Sequence, residues 1–295
     1  MEQDVIIRGL LFDGCIKVMA ISAMDMVKEA RKAHGLSRLA TAALGRSLMM
    51  TSMMGAQLKD AGDRVTTMLK GGGELGNVIC TARQGGIVKG YLDNPECELP
   101  PAPNGKLDVA LGVGWFGELV VVKDLGLKEP YVGRCEIVSG EIAEDFANYF
   151  TKSEQQPSLV YLGVRMEAYS GDVLSAGGLL VQALPNCPDE FAEAIEKRAT
   201  EIERISVRLQ GGEVLETILN ELFSDMGFEL LEKEYPAFKC DCSKERLERV
   251  LISLGREELL SMADADGGAE ISCHFCNTQY WFTDDELRRL AKECI

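Results

Sequence analysis

Four of the ten cysteines in this chain are patterned: Cys240-Asp-Cys242, then thirty residues, then Cys273-His-Phe-Cys276. Thiolates are soft donors, and two close pairs that a fold brings together make a tetrahedral sulfur cage, which zinc prefers. Four protein thiolates leave no position for a substrate. A metal held this way keeps a small domain together or responds to oxidation, and does not perform catalysis. His274 sits between two of the ligands, but four cysteines complete the tetrahedron without it, so its side chain is expected to point outward. The other six, Cys15, Cys80, Cys97, Cys135, Cys187 and Cys294, are scattered singly, and most of them read as small buried hydrophobes.

Other motifs are weaker. Gly71-Gly-Gly73-Glu-Leu-Gly76 fits G-x-G-x-x-G. A dinucleotide site needs a strand before it and a helix after it, whereas NVICTAR and GGIVKGYL follow, both strand-like, so these glycines predict a loop between strands. His34 lies beside Gly35 at a helix end, with no catalytic partners near it in sequence. No P-loop, nucleophile elbow or H-E-x-x-H motif is present. Met49, Met50, Met53 and Met54 crowd one helix, which is either a core helix or an adaptable apolar surface for varied partners.

The elements that must position these residues follow from patterning. VIIRGLLFDG and CIKVMAIS predict a hairpin around Asp13-Gly14. A helical region from Met24 to Leu58 breaks at His34-Gly35 and restarts with Ser37 as cap. Its most apolar part, Leu39 to Leu58, is interrupted by Arg46 and reads as an amphipathic helix, not a bilayer span. Strands are expected at RVTTMLK, NVICTAR, GIVKGYL, FGELVVVKD and GRCEIVS, with a proline-rich loop over 94–105. A helix over 141–153 and strands at SLVYLGVRMEAYS and VLSAGGLLVQAL follow. Strands in clusters with helical excursions predict an α+β fold: an N-terminal sheet-containing domain over 1–180, a helical linker over 181–232 and a small C-terminal zinc-binding domain over 233–295.

Residues 188–234 hold thirteen Asp or Glu and five Lys or Arg, with apolar residues such as Phe191, Ile195, Ile202, Ile205 and Leu209 at helical spacing. This predicts a two-helix connector whose docking is marginal. The C-terminal unit sits where apolar burial alone is barely enough to fold a domain. Structural zinc is worth about 10–16 kcal/mol in small finger peptides, so this unit is expected to fold with metal and loosen without it.

Charge narrows the function classes. The net charge is −16, and residues 233–295 carry nine Lys or Arg against thirteen Asp or Glu. An acidic surface repels phosphate backbones. The alternative is a zinc ribbon that binds nucleic acid, which this charge disfavours, or one that binds a protein partner with a purely structural zinc. A metal-dependent or redox enzyme would require an open coordination position. No secretory signal or membrane span is visible, so a cytoplasmic protein is expected.

With these residues in view, the chain resembles the redox-regulated heat-shock chaperones of about thirty-three kilodaltons, a holdase family. The similarity lies in F-K-C240-D-C242-S-K-E-R and C273-H-F-C276-N-T-Q-Y, including the C-x-C spacing. It extends to A-L-G45-R-S-L, to the G-x-V-K-G-Y-L-D-N-P stretch from Gly86 and to G177-G178-L-L-V-Q-A-L-P. The resemblance implies a homodimeric, ATP-independent chaperone, not an enzyme, that binds unfolding proteins and has no nucleic-acid or membrane partner. It implies one zinc on Cys240, Cys242, Cys273 and Cys276 in an inactive reduced state. Oxidation would then form the disulfides Cys240–Cys242 and Cys273–Cys276, release the zinc, and unfold the connector to expose apolar surface.

Overall fold

A computed structural model describes residues 3–185 and 187–294; Met1, Glu2, Asn186 and Ile295, which fall in the expected terminal domains and linker, lie outside the described residues. The chain divides into two compact units, Met1–Lys239 and Cys240–Ile295.

The first unit holds two sheets. Strands β1 (Val5–Leu11) and β2 (Ile16–Ser22) form the expected hairpin, with Phe12, Asp13 and Gly14 all at positive φ in its turn. Helices α1 (Met24–His34) and α2 (Arg38–Gly55) follow. Gly35 ends α1 in the left-handed conformation, and the Ser37 hydroxyl caps α2 by accepting from the Ala40 amide at 3.0 Å. Next come β3 (Arg64–Lys70), β4 (Val78–Arg83), β5 (Ile87–Leu92), α3 (Val109–Val113), β6 (Glu118–Asp124), β7 (Tyr131–Glu136), α4 (Ile142–Ser153), β8 (Ser158–Met166) and β9 (Val173–Ala183). Gly71–Gly76 is the loop joining β3 to β4, so no helix receives a pyrophosphate there.

The connector differs from the expected helix pair. It comprises four short helices, α5 (Asp189–Glu196), α6 (Ala199–Ile202), α7 (Ile205–Gln210) and α8 (Leu215–Leu222), and then a strand, β10 (Glu229–Glu234). The breaks near Arg198 and Arg204 carry no glycine or proline, so the sequence gives no stop signal there. A two-residue strand, β11 (Ala237–Phe238), closes the unit.

The first sheet runs β10-β1-β2-β9-β8 and is antiparallel throughout. The second runs β11-β5-β4-β3-β6-β7, antiparallel except where β11 lies parallel to β5. Period-two alternation gives the first sheet two apolar faces. Ile6, Met19, Ile21 and Leu180 point to a core shared with α2 and the second sheet. Ile7, Val18, Ala20, Leu179 and Val181 point the other way, under the connector. Nearly every residue of α2 is buried, and Met49, Met50, Met53 and Met54 are core side chains. The methionine-rich helix is therefore not an exposed binding surface in this state.

The connector residues Ile195, Ile202, Ile205, Leu215, Ile218, Leu219, Leu222 and Phe223 are buried against that outer face. Few polar bonds assist them. The Ser175 hydroxyl donates to the Ser206 carbonyl at 2.6 Å, and Tyr161 and Ser206 share a hydroxyl contact at 2.7 Å. Arg198 donates to the Leu222 carbonyl at 3.0 Å and pairs with Asp225 at 2.6 Å.

In the second unit, α9 (Lys244–Leu254), α10 (Arg256–Asp266) and α11 (Asp284–Ala291) pack against the hairpin of β12 (Gly268–Ser272) and β13 (Gln279–Thr283). Ser243 caps α9, and Thr283 with Glu286 makes a capping box on α11. The core is small: Leu251, Leu259, Ala263, Phe282, Leu287, Leu290 and Ala291.

Candidate metal centre

Cys240 and Cys242 lie on the irregular stretch before α9, and Cys273 and Cys276 on the turn between β12 and β13. That turn is held by its backbone. The Cys273 amide donates to the Thr278 carbonyl at 2.9 Å, while the Cys276 and Asn277 amides donate to the Cys273 carbonyl at 3.2 and 2.7 Å. Asn277 takes positive φ, which asparagine tolerates better than most residues. The turn thus aims both sulfurs to one side.

All four sulfurs lie within 4.8 Å of one another. Cys240 Sγ is 3.7 Å from Cys273 Sγ, and Cys242 Sγ is 3.4 Å from Cys276 Sγ. A tetrahedron with metal–sulfur bonds of about 2.3 Å has edges of about 3.8 Å. These separations are close to that edge and far longer than a disulfide, so the four thiols fit a metal ion and could hold one. His274 is exposed and is not part of this cluster.

Neighbouring hydroxyls favour ionised sulfur. Burial opposes ionisation of Cys276, yet the Thr278 hydroxyl at 3.2 Å, the Thr278 amide and the adjacent thiols bring it down to about 7. Burial holds Cys273 above the usual thiol value. The Tyr280 hydroxyl lies 3.2 Å from Cys242 Sγ, and that contact first, then burial, lifts the phenol to about 12, so it keeps its proton and can donate it to sulfur. Sequence reading missed Thr278 and Tyr280. Their signal was available: a hydroxyl two residues after Cys276, and one on the inward side of the strand that follows.

Around the cage, Arg246 pairs with Asp241 at 2.6 Å, between the first two cysteines. Lys244 pairs with Glu286 at 2.7 Å and sits over the Phe282 ring. These ties join the first cysteine pair to α11 within the small unit. The scattered cysteines behave differently. Burial pushes Cys80 far above the ordinary thiol range and Cys135 up to about 11.

Comparison with known proteins gives one answer along the whole chain. The family described as Hsp33 protein matches residues 4–283. This chain belongs to the Hsp33 family. It is 40% identical to the 33 kDa chaperonin of Clostridioides difficile over 291 residues, covering 99% of each chain. It is 42% identical to the 33 kDa chaperonin of Acetivibrio thermocellus, covering 98% of this chain and 97% of that one. The crystal structure of the 33 kDa chaperonin from Thermotoga maritima superposes with a TM-score of 0.90 at 37% identity, covering 99% of both chains. The α+β Hsp33 fold and a chaperone function follow from this membership, and a chaperone family is not an enzyme class. Among the described residues, no helix is long and apolar enough to cross a membrane.

Proposed function

We propose that the protein is an ATP-independent, homodimeric holdase of the cytoplasm, held inactive by zinc on Cys240, Cys242, Cys273 and Cys276 and activated when those thiols are oxidised. Four soft thiolates in a closed tetrahedron favour zinc over the harder divalent ions. When bound, the ion supplies the cross-link that the small core of the second unit lacks. Clients are unfolding proteins, in keeping with the family, and neither nucleic acid nor membrane is a partner of this acidic chain.

The observation that carries this reading is the route of the chain. The connector covers the outer apolar face of the first sheet, β10 then pairs with β1, and β11 pairs with β5. The Lys239 amide donates to the Val88 carbonyl at 2.8 Å, and Cys240 is the next residue. No slack separates the connector's last anchors from the first metal-ligating thiol. We propose a connector over 181–232 and a switch region over 233–295, in which 233–239 pair with the first unit and Cys240–Ile295 form the compact metal-holding part.

A thiolate attacks a peroxide oxygen, leaving a sulfenic acid and hydroxide, and its partner thiol displaces the second oxygen as water to give a disulfide. Each disulfide consumes two thiols and one peroxide. Formation of Cys240–Cys242 and Cys273–Cys276 removes four donors, and the second unit loses the cross-link that folded it. The sulfur separations of 3.7 and 3.4 Å run across these pairs, from Cys240 to Cys273 and from Cys242 to Cys276. The pairing proposed here therefore rests on the family resemblance and on adjacency in sequence. Loss of the folded second unit frees β11, β10 and then the connector, baring Ile7, Val18, Ala20, Leu179 and Val181 to clients.

Disulfide mapping with metal analysis tests the reading. Peroxide treatment of the zinc-loaded protein should give one equivalent of free zinc, loss of the four cage thiols and their two linked pairs, all reversed by reductant plus zinc. Retention of zinc with all four thiols modified would refute the ligand assignment.

A further inference from the structure

Two cysteines outside the cage lie at the root of the connector. The β2–β9 ladder continues one residue past Ile16 and Ala183, with the Leu184 amide donating to the Cys15 carbonyl at 3.0 Å. The chain then turns at once, since the Cys187 amide donates back to the Leu184 carbonyl at 3.0 Å. Cys15 and Cys187 are thus both bonded to the same residue. Both side chains are half-buried and pack against the same apolar cluster under the connector. The segments are clamped beside them as well: Phe12 and Phe191 stack face to face with centroids 4.1 Å apart, and the Phe12 amide donates to the Met226 carbonyl at 2.8 Å. Burial raises the Cys187 thiol, and a charge on Cys15 raises it further.

We propose that Cys15 and Cys187 are a second redox pair, converted to a disulfide by peroxides, and that this bond sets where release of the connector stops. The bond forms by the chemistry described above, with two thiols and one hydrogen peroxide giving one disulfide and two waters. Cys187 at present points its thiol toward the Pro188 carbonyl, 3.7 Å away, and must rotate toward Cys15. Once formed, the bond staples Cys187, and with it the hydrogen-bonded Leu184, to the β1–β2 turn. Unfolding that starts from the C-terminal end of the connector can then pass through α8 to α5 but not into β9. The sheet that would receive clients stays intact while its cover is removed. This last consequence rests on the connector reading above; formation of the bond does not.

The test treats the full-length, zinc-loaded protein with hydrogen peroxide, blocks residual thiols by alkylation, and digests it without reduction for mass spectrometry. The expected result is a linked peptide containing Cys15 and Cys187, two hydrogens lighter than its parts, lost in Cys15→Ser and restored to free peptides by dithiothreitol. A second arm measures hydrogen exchange at the Leu184 amide, which should be about tenfold slower in the oxidised wild type than in oxidised Cys15→Ser. Recovery of both cysteines fully alkylated, or linked to other cysteines, overturns the pair. A linked pair with equal exchange in the two proteins overturns the stop. If Cys15–Cys187 forms while the four cage cysteines stay reduced, the switch reading fails and this pair stands.

Discussion

Replacing Ile205 by alanine loosens the connector without touching a cysteine. Ile205 is fully buried on α7, against the outer face of β9, where its Cγ2 methyl lies beside Gly177. The substitution removes three carbons. At about 0.8 kcal/mol each that is about 2.4 kcal/mol of transfer free energy. The cavity term brings the loss to about 3 kcal/mol, inside the range for buried Ile→Ala. The Ser175–Ser206 and Tyr161–Ser206 bonds are untouched, so the effect acts through packing alone. At 1.4 kcal/mol per tenfold, the undocked population rises on the order of 100-fold. Hydrogen exchange over 189–222 in the reduced, zinc-loaded variant should accelerate by that factor. Light scattering should show partial suppression of a heat-unfolded client's aggregation with no oxidant and with zinc still bound. Faster exchange in these helices without any suppression would refute the claim that the connector is the cover. Unchanged exchange would refute independent opening of the connector.

Three further outcomes follow from the same geometry. Tyr280→Phe removes the hydroxyl beside Cys242 Sγ and should weaken zinc binding by about tenfold in a chelator competition, the size of a typical outer-shell effect; unchanged affinity would show that the phenol does not support the thiolate. Thr283→Ala removes half of the α11 capping box and should cost the second unit about 1 kcal/mol, read as lowered thermal stability of that unit in the zinc-loaded reduced form. Asp4 accepts from the Met26 and Asp25 amides at the start of α1, yet burial outweighs these bonds and raises its carboxyl from 3.8 to about 6. A raised folded value means the folded state binds the proton more tightly, so this stabilisation is complete below about pH 4 and is lost as pH rises through 6. Over that window the unfolding free energy of wild type relative to Asp4→Asn should fall by up to about 3 kcal/mol, and a difference independent of pH would refute the assignment.

Local signals made much of this structure legible. The Asp13-Gly14 turn, the Gly35 stop, the Ser37, Ser243 and Thr283 caps and the glycine loop at 71–76 all depend on residues near one another in sequence. The cysteine cage was readable because metal geometry constrains spacing. What escaped was long-range. Glu229–Glu234 is acidic and looks like the end of a helical connector, but it pairs with β1 because that strand has a free edge. The connector's division into four helices likewise follows the surface it packs on, which no residue within it announces. Cys15 and Cys187 are 172 positions apart, and only the β2–β9 register brings them to one residue.

The central claim is that metal-bound thiolates hold the off state. Its most direct measurement is aggregation of a heat-unfolding client in the presence of the wild-type protein, reduced and loaded with one zinc per chain, beside the same sample after peroxide. The account predicts no suppression before oxidation and strong suppression after it. Equal suppression by the reduced, zinc-loaded protein would contradict it.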